Sequence, residues 1–303
     1  MKDATDVCVN AKTLSKGSVR HFYDALKQRA VKMDVLSDDG ESFEGDGVAL
    51  MLGAELRGLY LYKAFASLQA RTTLYYPYGG MLAEDRFTNR HQALIKSLTR
   101  ALQTDSKVQI IISLDQQPMM LPSEIAEDEA FWLAQGFAPL DLQIHYQGEI
   151  KLGDIKDQDH LNFLVTEYAG GDEGINSALC QLYREAYKKR SGIPDINPEG
   201  INKQLSIPSC SYLIMRHNNE LIGQCSLFIS DEECYVDSIY VRRSYWGTGA
   251  ADILTQSLFD YAEKKGCQTV SGTAASNNQA SRALMERFGL VAQYQVKRVL
   301  LSL

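Results

Sequence analysis

The sequence predicts an α/β protein of the α+β type, built from two tandem copies of one fold with a boundary near residue 150. Two observations support this prediction. The order of hairpin, strand, helix and strand recurs in both halves of the chain. In each half, runs that alternate like strands are interleaved with runs at helical spacing, which indicates a mixed, mostly antiparallel sheet flanked by helices.

The repeat is visible in four pairs of segments that align in order along the chain. The offset between the copies slips from 165 to 160 to 153 residues, which needs only differences in loop length. The pairs are 55–58 with 220–223, 81–94 with 241–254, 108–115 with 268–275, and 131–137 with 284–290. We therefore predict two domains, 1–150 and 151–303.

The first half begins with a weakly patterned entry region. Apolar spacing predicts a helix over about 16–32, and an acidic, turn-rich stretch predicts an exposed loop over 37–47. The elements predicted after these are a hairpin turning at Gly53 and Ala54, a strand at 72–76, a helix over about 89–102, a strand at 108–114, a short helix near 127–135 and a strand pair over 137–150.

The second half is predicted to open with two helices in 154–192, separated by the glycine-rich turn 170–174. Three consecutive antiparallel strands should follow over 210–241, with turns at 218–219 and near 231–232. A helix, a strand, a second helix and further strands complete the predicted order.

The stretch from Asp237 to Leu254 reads as a buried strand, a glycine-containing turn and a helix. This arrangement points backbone N–H groups and a helix N-terminus at an anion. Glycine suits the turn because a Cβ would keep a phosphate away from the amides. The stretch contains neither the P-loop pattern nor the three glycines of the dinucleotide fingerprint, and a tight turn before a helix is the alternative interpretation.

The same stretch resembles a motif of the GNAT superfamily of acyl-CoA N-acyltransferases, in which the fourth strand leads into a glycine-rich loop. The motif is met by Val241, Gly247, Gly249, Ala251 and Leu254. Arg243 replaces the usual proline, and Trp246 replaces the usual Arg or Gln. A second family block is matched in the right order by Asn278, Ser281, Leu284, Met285, Gly289 and Leu290. The two-domain arrangement is similar to that of the mycothiol synthases.

The resemblance implies an acetyl-CoA-dependent N-acetyltransferase without a metal, whose sheet splays between the fourth and fifth strands. It implies that main-chain groups at the end of the fourth strand hold the pantetheine arm and that the loop holds the pyrophosphate. Asn278 should bind the pantetheine arm or a bridging water, or it simply caps the following helix. The residues implied to bind the cofactor are Ile239, Tyr240, Val241, Trp246, Gly247, Thr248, Gly249, Ala250, Ala251 and Asn278.

Amide formation from a thioester requires a proton acceptor for the amine, and no nucleophilic Ser or Cys is needed when the amine attacks directly. By period two, Asp237 and Tyr235 share a strand face with Ile239 and Val241. Asp237 is the first candidate for the acceptor and Tyr235 the second. A structural hydrogen-bonding role for Asp237 is the alternative.

The family often has a tyrosine that protonates the leaving thiolate at the position of Met285. Tyr240 and Tyr294 substitute only if the fold brings them near the sulfur, and a thiolate can also leave unassisted because thiol pKa values are modest. Tyr183, Tyr187 and the basic run 188–190 fall in the region that covers the acceptor in the family. For the basic run, a solvated helix end is the competing interpretation.

The two copies differ in the loop. Where the second copy has the small residues 247–251, the first has Phe87, Thr88, Asn89, Arg90 and His91. These side chains would block a pyrophosphate, so we expect the first domain to be a degenerate copy and only the second to bind acetyl-CoA.

The net charge of −7 argues against nucleic-acid binding, which needs a basic face. The absence of a signal-like start or an 18-residue apolar run predicts a soluble, cytoplasmic protein with no membrane partner, and the six scattered cysteines are expected to be reduced. The expected partner is a small-molecule or peptide amine, and the sequence leaves the oligomeric state open. A non-catalytic acyl-CoA-binding or interaction protein that retains the cofactor loop is the alternative function.

Overall fold

The computed structural model describes residues 6–11, 14, 22, 46–52, 54–68, 71–81, 85–103, 107–114, 122–150, 162–188, 190 and 192–303. The chain forms two compact units. Unit 1 comprises Met1–Asp141, Ser191–Pro194 and Lys297–Leu303, and unit 2 comprises Leu142–Arg190 and Asp195–Val296. The units therefore differ from the predicted halves 1–150 and 151–303, because each unit also contains short segments from the other half of the sequence.

The elements of the first half, in chain order, are β1 (Asp6–Asn10), β2 (Asp46–Leu52), β3 (Glu55–Tyr62), β4 (Ala64–Ala66), β5 (Thr72–Tyr75), β6 (Tyr78–Met81), α1 (Asn89–Leu102), β7 (Lys107–Leu114), α2 (Pro122–Ala134) and β8 (Ala138–Glu149). Those of the second half are β9 (Phe163–Tyr168), α3 (Glu173–Tyr187), α4 (Pro198–Leu205), β10 (Cys210–His217), β11 (Glu220–Ser230), β12 (Glu233–Val241), α5 (Ala250–Lys264), β13 (Thr269–Ala275), α6 (Gln279–Arg287) and β14 (Val291–Ser302).

In unit 1, β1, β2, β3 and β6 form one antiparallel sheet. A second sheet runs β4, β5, β7, β14, in which only β5 and β7 are parallel. The helix α1 packs its buried face, which includes Leu94, Leu98 and Leu102, into a core shared with these strands. The last strand of this unit is the C-terminal part of the chain, since Lys297–Ser302 pairs with β7.

In unit 2, the strands follow the order β8, β13, β12, β11, β10, β9, and only β12 and β13 are parallel. One face of this sheet packs on α5 and the other on α3 and α4. The strand at the β13 end of this order, β8, comes from the first half of the sequence, because 143–149 pairs with β13. The mixed, mostly antiparallel sheets flanked by helices confirm the predicted fold class.

The repeat extends to the strand register of the hairpin and of the strand that follows it. In unit 1 the β2–β3 hairpin slips register between Leu50 and Met51, and in unit 2 the β10–β11 hairpin slips between Met215 and Arg216. Gly58 then pairs with Met81, and Gly223 pairs with Val241. Each of these correspondences has the offset of 165 or 160 residues that the aligned segments predict.

Two element predictions are wrong. The segment 137–150 is one long strand, β8, and not a strand pair. The segment 154–192 contains a strand, β9, before the helix α3, where we predicted two helices. The β9 strand satisfies its backbone groups by pairing with β10, which a local pattern does not reveal. The sequence also did not predict β1 or α4.

The predicted helix over 16–32 lies outside the described residues except for Phe22, which is buried. The predicted loop over 37–47 also lies outside them except for its last two residues, which begin β2. None of the helices in the part of the chain that the structure describes has the length and apolar composition needed to cross a membrane.

Candidate active site

The sheet of unit 2 opens between β12 and β13. The two parallel strands pair only from Glu233–Val236 on β12 to Thr269–Gly272 on β13. Within the continuously described stretch 192–303, β12 then runs on to Val241 and β13 to Ala275 without pairing to each other. A gap lined by main-chain groups therefore begins after Val236, and this is the splay that the sequence resemblance implies.

Asp237 lies at the point where the splay begins, on a β-bulge. On the opposite side of β12, Ser226 pairs with Ser238 and the next residue, Leu227, pairs with Val236. Asp237 is thus the extra residue of the bulge and has no partner on β11.

The bulge reverses the alternation of β12, so the predicted common face of Asp237, Ile239 and Val241 is wrong. Ile239 and Val241 pack toward the core around α5, together with Cys234 and Val236. The Asp237 side chain turns the other way, toward the face covered by α3, where it meets Ser226. Because the side-chain period of a strand is two, one inserted residue moves every later side chain to the opposite face.

The carboxylate of Asp237 accepts a hydrogen bond from Ser226 Oγ at 3.0 Å. Its side chain is accessible to solvent, yet the surrounding protein is dense enough that desolvation raises the pKa of the carboxyl, and the hydrogen bond from Ser226 only partly opposes this. An accessible carboxyl with a raised pKa, held in a recess, is suited to accept a proton.

Aromatic side chains of α3 cover the same face of β12. The rings of Tyr183 and Tyr187 lie 4.7 Å apart, and each meets the ring of Tyr240 edge-on at 6.4 and 6.2 Å. Tyr187 also interacts electrostatically with Asp237 and Tyr235. The two catalytic candidates therefore face α3 together, beside the tyrosines that the sequence predicted near the acceptor.

The basic residues near the site are engaged locally. Arg190 lies over the ring of Tyr187 at 5.8 Å, while Lys188 is the C-cap of α3 and Lys189 lies outside the described residues. Arg242 forms an ion pair with Glu220. Arg243 stacks over the indole of Trp246 at 5.7 Å. The basic run thus has the character of a helix end.

The glycine loop and the start of α5 have the features of an anion site. Gly247 and Gly249 both adopt left-handed backbone conformations, with φ of 76° and 84°. The N-cap of α5 is Gly249, and none of the side chains that the structure describes caps the helix. By contrast, α3, α4 and α6 are capped by the side chains of Asp172, Asn197 and Asn278. The first-turn amides of α5, which have no acceptor inside the helix, are therefore not satisfied by a cap.

The other loop residues predicted to bind the cofactor surround these glycines. Trp246 is 63% exposed, and its indole N–H donates to the main-chain oxygen of Val241 at 3.0 Å. Thr248 donates its hydroxyl to the oxygen of Tyr245. Ala250 and Ala251 form the first turn of α5, and Ile239, Tyr240 and Val241 line the edge of the splay with their main chain. Apart from Asn278, the predicted residues thus belong to one continuous strand, loop and helix.

Asn278 has a structural role in the structure. It caps α6, since its side-chain oxygen accepts from the N–H of Ser281 at 3.2 Å and its amide donates to the hydroxyl of Ser281 at 2.7 Å. Binding of the pantetheine arm by Asn278 stays a prediction.

The candidates for the leaving-group acid are not brought together. Met285 is buried in the core against β13. The hydroxyl of Tyr240 points to the main-chain oxygen of Leu179 at 3.5 Å, and Tyr294 stacks on His145 at 4.5 Å. Among the described residues, no group of three or more His, Cys, Asp or Glu side chains is arranged to hold a metal ion.

Sequence reasoning missed three polar residues beside Asp237, namely Gln224, Ser226 and Ser238, all of which are buried. A signal was present, because Gln224 and Ser226 alternate with apolar residues along a strand whose two faces are both covered. Polar residues at such positions need partners, and their nearest partner in register is the strand that carries Asp237.

Comparisons with known proteins find similarity to acetyltransferases. Residues 176–290 match a family model described as the acetyltransferase (GNAT) family. A stretch of 132 residues is 25% identical to the spore coat polysaccharide biosynthesis protein SpsD of Bacillus subtilis (strain 168), covering 40% of this chain and 46% of that protein. Another of 86 residues is 22% identical to a putative ribosomal protein bS18-alanine N-acetyltransferase of the same organism, covering 28% of this chain and 57% of that protein. The alignments thus span about half the length of these curated relatives.

A solved structure shares the fold over the full length. The tandem GNAT protein from the clavulanic acid biosynthesis pathway superposes with a TM-score of 0.68 at 12% identity, over 98% of each chain. Taken with the family match over 176–290, the splayed sheet and the repeated strand register, this likeness shows that the chain has two GNAT-like folds in tandem, the second of which matches the GNAT family model.

Proposed function

We propose that this protein is an acetyl-CoA-dependent N-acetyltransferase that acts on an amine of a small molecule or peptide, by direct attack of the amine. The observation that supports it most is the combination, along one stretch of chain, of a bulged carboxylate, a splayed strand edge and a helix without a side-chain cap. The carboxylate and the free edge belong to β12, and the helix begins after the loop that follows β12. A long thioester substrate lying along this stretch can contact all three.

The residues present fit acetyl-CoA. Two left-handed glycines bring the backbone to the start of α5, and a Cβ built on Gly247 would meet no atom of the described residues beyond its chain neighbours within 4 Å, so these residues leave the space in front of the loop open. In the proposal, main-chain amides from Gly247 to Ala251 bind the pyrophosphate, with the helix N-terminus favouring its negative charge. The free main-chain edge of 239–241 holds the pantetheine arm.

Acetyl-CoA supplies an acetyl group activated as a thioester. In our proposal Asp237 accepts the proton of the attacking amine, directly or through a water, since its carboxyl is accessible and its pKa is raised by desolvation. Tyr235 is the second candidate. The tyrosines of α3 border the approach of the amine. No side-chain acid is assigned to the leaving thiolate, whose modest basicity permits unassisted departure.

The acceptor is proposed at the level of its functional group. One curated relative carries a polysaccharide-biosynthesis name and the other a ribosomal-protein alanine acetyltransferase name, which suggests amino sugars and peptide N-termini as the first compounds to test. The five cysteines of unit 2 are free and buried, which fits a reducing compartment, and we extend the proposal to a cytoplasmic reaction.

The test is release of free CoA during incubation with acetyl-CoA and a panel of amines that contains amino sugars and peptides with N-terminal alanine. The proposal requires amine-dependent CoA release and an acetylated product identified by mass. If acetyl-CoA protects the protein against heat but no amine turns over, the non-catalytic acyl-CoA-binding alternative is correct, for which the buried Met285 at the usual tyrosine position is the supporting observation.

A further inference from the structure

A row of hydrogen bonds between β11 and β12 ends on the carboxylate of Asp237. Gln224 Nε2 lies 2.9 Å from Ser238 Oγ, Ser238 Oγ lies 2.7 Å from Ser226 Oγ, and Ser226 Oγ lies 3.0 Å from Asp237 Oδ2. Gln224 and Ser226 are each 2% exposed and Ser238 is 9% exposed. Three neutral polar side chains are thus buried side by side in a sheet, with the only charge at the end of the row.

The direction of these bonds follows from counting protons. An ionised carboxylate only accepts, so Ser226 uses its single hydroxyl proton toward Asp237. The bond between the two serines must then be donated by Ser238, which leaves Ser238 Oγ to accept from the amide of Gln224. Every donor in the row points toward Asp237, and bonds aligned in this way polarise one another.

We propose that Ser226, supported by Ser238 and Gln224, is a positioning residue that holds the bulged Asp237 carboxylate in its ionised, proton-accepting state. The catalytic part of this inference rests on the proposed function, in which Asp237 is the proton acceptor. A bulge residue has no partner on the neighbouring strand to fix its side chain, so a buried donor on that strand supplies the orientation that the register does not.

The Gln224 end of the row can adjust when Asp237 gains or loses a proton. Gln224 Oε1 is buried and has no hydrogen-bond partner among the residues that the structure describes. When Asp237 holds a proton, it can donate to Ser226, Ser226 to Ser238, and Ser238 to Gln224 Oε1 after a 180° turn of the amide. Both protonation states of Asp237 are then served by the same four side chains, with every hydroxyl proton used once.

The titratable groups that interact with Asp237 keep the same charge over the pH range in which a carboxyl titrates. Four groups among the described residues interact electrostatically with Asp237, and burial raises the pKa of each, in the case of Cys210 to about 11, so all four are neutral. These groups are Tyr187 of α3, Cys210 and Tyr212 of β10, and Cys225 of β11. Tyr235 on its own strand and the permanently charged Arg190 face Tyr187. The row of hydrogen bonds therefore contributes the main favourable interaction of the ionised form.

The experiment is a carboxyl-carbon NMR titration of Asp237 in the full chain, with the resonance assigned by its loss in Asp237→Asn. Ser226→Ala should move the midpoint to higher pH, because the donor to the ionised form is lost. Ser226→Thr, which keeps the hydroxyl, should restore the wild-type midpoint. Ser238→Ala should shift it in the same direction by less, and Ser230→Ala, at the exposed end of the same strand, should not move it.

The kinetic counterpart is the pH profile of kcat/KM for acetyl transfer. The acid limb of Ser226→Ala should move up with the NMR midpoint, so that kcat/KM falls about tenfold below that midpoint and little at high pH, as expected for one hydrogen bond to a charged group. Unchanged midpoints in both Ser226→Ala and Ser238→Ala, with both proteins folded, would overturn the proposal. If the wild type transfers no acetyl group, the proposed function fails, whereas the NMR midpoints still decide whether the row controls Asp237.

Discussion

The two units share one backbone plan and differ at the residues that we propose to bind a ligand. Both have a hairpin with the same register slip, the same glycine paired to the end of the next strand, and a parallel strand pair beyond it. At the offset of 160 residues, Pro77 of unit 1 corresponds to Asp237 of unit 2. A repeat can therefore keep its register while it exchanges the chemistry of single positions.

The strand that carries Asp237 is interrupted at the same place in both units. In unit 1 the equivalent strand is split into β5 and β6 by Tyr76 and Pro77, and Leu61 pairs with Tyr78 where Ser226 pairs with Ser238 in unit 2. A proline cannot donate to the ladder, and it is tolerated at such a break. Unit 1 thus keeps the irregularity, but the residue there is buried and has no carboxylate.

The helix that follows is completed differently in the two units. In unit 1, Thr88 caps α1 by accepting from the N–H of Arg90, and the guanidinium of Arg90 binds Asp85. Burial disfavours the charge of Asp85, but hydrogen bonds from Arg90 and Arg57 lower its pKa. Unit 1 thus has its own cap and a fixed negative charge close by, whereas the equivalent helix of unit 2 has a glycine N-cap. The same helix start is capped by a side chain in one unit, and in the other it has no cap from the described side chains, which is where we propose the ligand binds.

The largest expected effect comes from closing the open helix start of unit 2. Gly249→Asp should weaken acetyl-CoA binding by at least about 100-fold, because it adds bulk and negative charge where the pyrophosphate is expected. Titration calorimetry measures this. The matched control is Gly266→Asp, since Gly266 has a φ of 87° against 84° for Gly249 and faces open space at the other end of α5. Comparable affinity in both variants would mean that the loop does not bind the cofactor.

The next effect concerns Asp237, whose equivalent in unit 1 is Pro77. Asp237→Asn keeps the shape of the side chain and removes its charge, so acetyl-CoA affinity should stay close to wild type. The acetylation rate near neutral pH should fall by about 10²-fold, the usual size of a general-base contribution. Raising the pH should restore part of the rate, because a larger fraction of the amine is then neutral without help. Initial rates from pH 6 to 10 give the measurement.

The control for that variant is Asp231→Asn, the same change at an exposed turn of the same hairpin. It should leave the whole pH profile unchanged. If Asp237→Asn also turns over like wild type at every pH, Asp237 is a structural residue, and Tyr235 becomes the first candidate.

The sequence was sufficient for the features that depend on local pattern. The helix predicted over about 89–102 is α1, and the three strands predicted over 210–241 are β10 to β12, because their alternation and turn residues lie within each segment. Asn218 and Asn219 have positive φ, as a tight hairpin turn requires. The glycine loop was predicted for the same reason, because the residues that determine its backbone conformation are adjacent in the sequence.

What the sequence did not reveal depends on contacts between distant segments. The bulge at Asp237 is set by the register between β11 and β12, so period-two counting put the side chain on the wrong face. The final strand of each unit comes from the other half, and the alignment of the two halves contains no information about which copy a strand joins. The row formed by Gln224, Ser238 and Ser226 is likewise visible only once the register is known.

A smaller effect tests whether one unit or both bind acetyl-CoA. Titration of the wild type should give one site per chain. Asn278→Ala should weaken binding by about three- to tenfold, the size of one hydrogen bond. Asn89→Ala, at the exposed first turn of α1, should leave affinity unchanged. A stoichiometry of two would show that unit 1 is a second binding site and not a degenerate copy.

The smallest effect concerns the cap that distinguishes the helix start of unit 1. Thr88→Ala removes the oxygen that accepts from Arg90, so the free energy of unfolding should fall by about 1 kcal/mol, the typical value of an N-cap. Thr99→Ala is the matched control, because Thr99 lies inside the same helix and alanine is the better helix former there, so stability should be equal or higher. The measurement is urea denaturation with and without acetyl-CoA. The loss in Thr88→Ala should be the same in both conditions, since the helix start of unit 1 is completed by protein, while acetyl-CoA should stabilise every variant by binding only the native state. A loss that disappears when acetyl-CoA is present would mean that the ligand also binds at α1, and the contrast between the two helix starts would then be wrong.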